Sequence, residues 1–382
     1  MMKKRLMTPG PTPVLQEALA AMSQPILHHR TPQFSAIFRE AAAGLKPIFG
    51  TKEDVLILAG SGTAAMEGSV VNLLSPGEKA LCINGGKFGE RWGKICQAHG
   101  MEVIELKSEW GHPIGVDEVK KALEANPDIR AVYATFSETS TATVHPIQEI
   151  AALTRNSDAL LVVDGITAVG CMPVPMDEWG IDVLVSGSQK AFMLPPGLAF
   201  VALSERAWKR TEEARSPKFY LDFKKERKAL HDDTTAYTPA VSLIIGLLEV
   251  VRAVEAEGIE NLFARHKRLA DATRAGLAAL GLKAFSAAPA DSVTAVWLPE
   301  GVDGGKFVKY ARDQLGLAMA GGQDHVKGKI IRVSHMGFVD GFDTLSAIAA
   351  VEMALAKFGQ SVELGKGVAA AQKVLIEGFP NP

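Results

Sequence analysis

Apolar residues occur along this chain in two rhythms. Nearly unbroken apolar runs at residues 55–58, 80–83, 131–136, 159–163, 181–185 and 198–203 each stop at or just before Gly, Asn, Asp or Ser. A strand with one wet face alternates apolar and polar positions, so a continuous run predicts a strand covered on both faces, as in a parallel sheet sandwiched by helices. Segments of helical periodicity at 34–48, 64–74 and 240–256 supply those covers. The pattern predicts an α/β fold that presents ligands at the carboxyl ends of its strands.

From residue 258 the rhythm changes. A long amphipathic helix at 259–280 is followed by short strands at 292–298 and 329–333 and helices at 305–315, 342–358 and 362–379, which reads as a smaller α+β unit. With 382 residues the chain is too long for one core. We therefore expect a large domain over 1–257 and a small one over 258–382. Pro9 to Pro13 cannot be helical and should run extended before a helix at 14–22. The polar stretch from His28 to Phe34 leads into the next helix, and 206–228 reads as a helix and a surface crossing.

Composition narrows the function. Hydrophobic content of 47% and charged content of 22% suit a globular enzyme, and a net charge of −2 leaves no basic surplus for nucleic acid or an anionic membrane. The three cysteines, Cys82, Cys96 and Cys171, have no C-x-x-C spacing, so neither a disulfide framework nor a metal site is suggested. No run is long enough for a membrane span, and prolines follow the basic start where a signal peptide needs an apolar run. A cytoplasmic protein is expected.

Candidate chemistry clusters at strand ends. Asp164 closes the run 159–163, and Lys190 follows Ser186-Gly-Ser-Gln189 and precedes Ala191-Phe-Met193. A lysine so placed should be partly desolvated, which frees its amine as a nucleophile toward a carbonyl. A buried carboxylate needs a cation or several donors to stay ionised; Lys190 or a cofactor's pyridinium nitrogen would both serve. Gly60-Ser-Gly-Thr63 between a strand and a helix suits an anion, with Ser61, Gly62 and Thr63 as the cradle. The same residues fit a dinucleotide fingerprint, but the following strand ends in Asn84-Gly-Gly86 instead of a ribose-binding acid. Phe88 follows those glycines, where an aromatic can lie against a ring. Thr139 sits in the hydroxyl-rich turn 137–143. Arg332, on an apolar strand, needs a counter-ion, either a structural carboxylate or a substrate's.

Taken together, the VDG ending at Gly165, the SGSQKAF around Lys190 twenty-six residues beyond Asp164, the PGPTP near the start and the GKIIRVSHMG near the end resemble the class V aminotransferases. The likeness is greatest to the alanine–glyoxylate and serine–pyruvate (serine–glyoxylate) branch and spans nearly the whole chain. It implies pyridoxal 5′-phosphate (PLP) enzymes of fold type I, with a mostly parallel seven-stranded sheet and a smaller C-terminal α+β domain. It further implies Lys190 as the Schiff-base lysine and proton carrier, Asp164 on the pyridine nitrogen, and Phe88 stacked on the ring. Ser61, Gly62, Thr63, Thr139 and Gln189 would hold the cofactor, and Arg332 the substrate carboxylate. Residues 1–20 would lie near the active site. The turn 234–239 would cross a homodimer interface to the neighbour's phosphate through Thr234 and Tyr237. The implied substrates are a small amino acid, alanine or serine, and glyoxylate or pyruvate, exchanged by ping-pong kinetics. A desulfurase would need a cysteine in 320–325, where there is none. A PLP lyase and a non-catalytic subunit of this fold remain as alternatives. The resemblance also places the stretch from His28 to Phe34 near the substrate, either as a direct contact or as a capped loop leading into the next helix; no chemistry is assigned to His28, His29 or His335.

Overall fold

The computed structural model describes residues 3–378. Seven strands form the main sheet: β1 (Val55–Gly60), β2 (Lys79–Asn84), β3 (Glu102–Lys107), β4 (Ile129–Thr135), β5 (Leu160–Asp164), β6 (Val183–Gly187) and β7 (Gly197–Leu203). Their order is β1-β7-β6-β5-β4-β2-β3. Every neighbouring pair is parallel except those of β7, which runs antiparallel to both β1 and β6. Six of these strands coincide with the apolar runs. The seventh, β3, lies at the sheet edge with Glu102, Glu105 and Lys107 in or near solvent, so no continuous run marked it. β6 starts two residues later than its run because Asp182 stays outside it. The Asp182 carboxylate accepts from Leu161 N at 2.9 Å and Ser204 Oγ at 2.9 Å, which ties the entrances of β5 and β6 to the exit of β7.

Both faces of the sheet are covered. Along β5, Leu160 and Val162 pack with the helices Gly62–Leu73 and Lys87–Ala98, while Leu161 and Val163 pack with Pro32–Phe49 and Val241–Glu257. Because side chains alternate along a strand, Asp164 falls on the face of Leu160 and Val162. That parity aims it at the amino ends of Gly62–Leu73 and Lys87–Ala98, the two helices that carry the candidate cradle and Phe88. The charged stretch after β7 forms two helices, Glu205–Glu213 and Phe223–His231.

A separate apolar core surrounds a three-stranded antiparallel sheet of β8 (Val293–Trp297), β9 (Ala320–Gly321) and β10 (Ile330–Ser334), ordered β8-β10-β9. The helices Ile259–Ala279, Gly341–Lys357 and Lys366–Ile376 close it. The last helix was expected to reach Phe379, which lies outside the described residues. The chain also begins at this smaller core: Arg5–Leu6 pairs in parallel with Leu317–Ala318, and Met7 is buried in the core. The chain then crosses to the large sheet through Pro9–Pro13, where Thr12 bonds the backbone oxygens of Gln189 and Lys190. Among the described residues no helix is long and apolar enough to cross a membrane.

Candidate active site

A cleft opens where the chain leaves β4, β5 and β6 and faces the first turns of Gly62–Leu73 and Lys87–Ala98. Its lining brings together Ser61, Gly62, Thr63, Phe88, Thr139, Asp164, Gln189 and Lys190 from five separate segments. A roomier groove of about 500 Å³ between Pro32–Phe49 and Val241–Glu257 is mostly apolar, with Glu40 and Glu255 as its ionisable lining groups. Volume alone does not locate chemistry, and the smaller cleft is the one with converging polar groups.

Lys190 and Asp164 share this cleft without closing an ion pair. The ammonium of Lys190 donates to Pro9 O at 2.5 Å, so the N-terminal segment holds the lysine. A Cβ at Gly10, where φ is +133°, would collide with the same side chain. Burial pushes the Lys190 ammonium down to about 8; the negative charge of Asp164 opposes that, and Arg332 and Arg91 add to it. Asp164 accepts one hydrogen bond, from Ile166 N to Oδ1 at 2.8 Å. Burial pushes its carboxyl up to about 7, and one backbone donor does not offset the loss of water. Each group is thus close to changing charge near neutrality, and each has capacity for a partner.

The other polar groups are arranged around an anion and a flat ring. Ser61 is the N-cap of Gly62–Leu73 but makes no side-chain capping bond, which leaves its hydroxyl and the amides of Gly62 and Thr63 open, while Ala64 N donates to Ser61 O at 2.7 Å. A Cβ on Gly62 would meet the Ile166 side chain at 2.5 Å, so glycine lets this helix start approach the loop after β5 without that side chain shifting. Gln189 Oε1 is buried without a partner. Thr139 lines the cleft with its hydroxyl 3.1 Å from that of Thr167, which in turn donates to Ser137 O at 2.9 Å.

Two residues that organise this site were not singled out by the sequence reading. Glu138 is fully buried between β4 and the turn that bears Thr139. Its Oε2 accepts from Phe88 N at 3.1 Å and Gly89 N at 2.8 Å, and its Oε1 from Ser140 N at 3.0 Å and Ser140 Oγ at 2.5 Å. One carboxylate therefore clamps the turn of Phe88 to the turn of Thr139. Arg91, one turn into Lys87–Ala98, also lines the cleft. Its position three residues after Phe88 was the available signal, since such residues share a helix face.

Arg332 reaches out of β10 toward the same turn. Its Nη1 donates to Thr139 O at 2.8 Å, and Nε and Nη2 donate to Gly321 O at 3.0 and 2.8 Å. Burial lowers its guanidinium to about 10. Carbonyls hold it in place, and among the described residues no carboxylate pairs with it, so its charge is left for a ligand. Thr234 and Tyr237 do not reach this cleft within the chain. Thr234 Oγ1 accepts from Arg30, and Tyr237 donates to Phe219 O at 2.7 Å beside the exposed Phe219 and Tyr220. His335 is a core residue 2.9 Å from the Thr294 hydroxyl, and His28 and His29 stack on each other in the loop before Pro32–Phe49.

A sequence model of the family described as Aminotransferase class-V matches residues 8–339. The chain belongs to the class V aminotransferases. Three curated relatives extend over almost its full length. The small subunit of a soluble hydrogenase from Synechococcus sp. (strain PCC 6716) is 42% identical over 98% of each chain. The L-aspartate–glyoxylate aminotransferase of Paracoccus denitrificans is 39% identical over 96% of this chain and 94% of its own. A serine–glyoxylate aminotransferase of Methylorubrum extorquens is 35% identical over 98% and 96%. Among solved structures, the pyridoxamine–pyruvate aminotransferase of Mesorhizobium loti superposes with a TM-score of 0.94 at 27% identity, covering 99% of this chain and 98% of that one. The α/β aminotransferase fold expected from the residues is the one observed. PLP is the family's cofactor. An uncapped helix start, a half-satisfied buried aspartate and a desolvated amine on one cleft fit such a group.

Two consequences can be measured. The amine form of Lys190 should grow as pH rises through about 8, well below the 10.5 of an ordinary lysine. Loss of the Asp164 charge should move that midpoint lower. Borohydride trapping of pyridoxal on cofactor-free protein across pH, in wild type and Asp164→Asn, reads both shifts; a wild-type midpoint near 10.5 would contradict the geometry. Glu138→Gln keeps the side chain's shape but sets an NH₂ against backbone donors, and should cost about 2–3 kcal/mol in urea unfolding. Unchanged stability would mean that the carboxylate is not the clamp.

Proposed function

We propose that this protein is a PLP-dependent transaminase that carries an amino group from a small amino acid, alanine or serine, to glyoxylate or pyruvate. One observation carries the reading: Lys190 and Asp164 are both desolvated on one cleft, unpaired with each other, beside a guanidinium that has no carboxylate. When bound, PLP supplies an aldehyde for an amine and an aromatic ring able to take up negative charge from a substrate carbon.

The chain's own residues do the rest. Lys190 would be the residue that anchors the cofactor through its amine, and as a neutral base it would carry the proton between the substrate's Cα and the cofactor's C4′. A position near 8 suits that exchange, since a base works best with its equilibrium near the operating pH. Asp164 would hold the proton on the pyridine nitrogen, and that cation would favour its ionised form. Ser61, Gly62 and Thr63 would hold the phosphate, Gln189 and Thr139 would hydrogen-bond the cofactor, and Phe88 would stack on its ring. Arg332 fixes the substrate carboxylate in a two-pronged contact, with its fork already oriented by Gly321 O and Thr139 O.

The assembly is a homodimer in this reading, with Thr234 and Tyr237 serving the partner's phosphate; their distance from their own cleft and the exposed Phe219 and Tyr220 beside Tyr237 support it. The two-domain division, with residues 5–7 joined to the smaller unit, is supported by the separate apolar core around β8, β9 and β10.

The hydrogenase name of one relative favours a second reading, a subunit of this fold without chemistry of its own. Among the described residues no three His, Cys, Asp or Glu side chains gather closely enough to hold a metal ion, and Lys190, Asp164 and Arg332 are all present. One experiment separates the readings. Purified protein with PLP is assayed with alanine, serine, aspartate and glutamate against glyoxylate, pyruvate and 2-oxoglutarate, alongside Lys190→Ala. Turnover of a small donor with glyoxylate or pyruvate, lost by several orders of magnitude in Lys190→Ala, is the expected result. Preference for aspartate or glutamate would overturn the substrate assignment. Full turnover in the variant would overturn the mechanism, and none with any pair would favour the non-catalytic subunit.

A further inference from the structure

Arg91 is a guanidinium that the roles above leave unused. It is half-buried on the cleft wall, and its Nη1 donates to Thr63 Oγ1 at 3.1 Å. Its Cζ stands 4.9 Å from the centre of the Phe88 ring. Among the described residues it meets no carboxylate within ion-pair distance. A guanidinium drawn partly out of water in this way has its hydrogen-bond fork available for an anion.

The position selects the anion. Thr63 lies on the first turn of Gly62–Leu73, where Ser61 makes no side-chain cap and the amides of Gly62 and Thr63 have no acceptor within the helix. A threonine hydroxyl has one hydrogen and two lone pairs. With Arg91 donating to the oxygen, the hydroxyl hydrogen is directed elsewhere, toward an acceptor in the cleft. In the reading above the other cations nearby serve other parts of the ligand, Lys190 as the cofactor's anchor and Arg332 as the holder of the substrate carboxylate. Helix amides alone carry about half a unit of charge, which is less than a phosphate monoester presents.

We propose that Arg91 is the cation of the cofactor's phosphate end, acting on the phosphate through its own charge and through the Thr63 hydroxyl that it orients. The inference rests on reading the cleft as a PLP site and adds a binding residue to it. It also means that Arg91 is not free to receive the side-chain carboxylate of a dicarboxylic substrate.

The test compares PLP with pyridoxal, which lacks the phosphate, on cofactor-free protein. Dissociation constants are measured by equilibrium dialysis for wild type, Arg91→Gln and Arg91→Lys, and reductive trapping at Lys190 shows that each compound reaches the lysine. Loss of one charge-assisted contact should weaken PLP binding by about 10- to 100-fold in Arg91→Gln. Pyridoxal binding should be unchanged, and Arg91→Lys should recover most of the loss. The proposal is overturned if Arg91→Gln binds PLP as wild type does, if PLP and pyridoxal weaken alike, or if the variant changes only the KM for aspartate. Failure of wild type to trap either compound at Lys190 would instead remove the PLP reading itself.

Discussion

Two ionisable groups kept dry and apart are the constraint on which this molecule turns. An amine and a carboxylate facing one cleft would ordinarily collapse into a salt bridge, each returning the other to full charge. Here Lys190 is drawn to the carbonyl of Pro9 and Asp164 to the amide of Ile166, so neither finds the other. The lysine is left able to lose its proton and the aspartate able to gain one. Such a pair is costly in an empty protein and well matched to a ligand with an electrophilic carbon at one end and a basic nitrogen at the other.

Holding them apart takes both parts of the chain. Residues 5–7 are anchored on the smaller core, so Pro9 reaches Lys190 from that side, while β5 and β6 present Asp164 and the lysine loop from the other. Arg332 makes a similar crossing, from β10 to the Thr139 carbonyl. The cleft is thus assembled across two cores, and a shift of one against the other would move Pro9 and Arg332 together relative to Asp164.

Glu138 gives the same region its rigidity. Its four donors come from the amino end of Lys87–Ala98 and from Ser140, so the turn carrying Phe88 and the turn carrying Thr139 move as one body. Burial pushes this carboxyl up, while the amides and the hydroxyl that donate to it favour its charge, and that charge acts on both Asp164 and Arg332. The site's electrostatics therefore depend on a carboxylate that has no place in the chemistry itself.

Local chemistry is what the sequence determined. Runs such as Leu160–Val163 cannot satisfy two apolar faces except inside a helix-covered sheet, and a carboxylate ending one run with a lysine beyond the next marks the cleft at the strand ends. Gly60-Ser-Gly-Thr63 declared a close helix start for the same local reason, the space a missing Cβ leaves. What only the tertiary structure decided is who meets whom across distant segments. Pro9 with Lys190, Glu138 with Phe88, and Arg91 with Thr63 are each far apart or unremarkable in the linear order. Their contacts follow from strand order and side-chain parity. β3 escaped notice because an edge strand shares its surface with water and so loses the apolar continuity by which the buried strands were read.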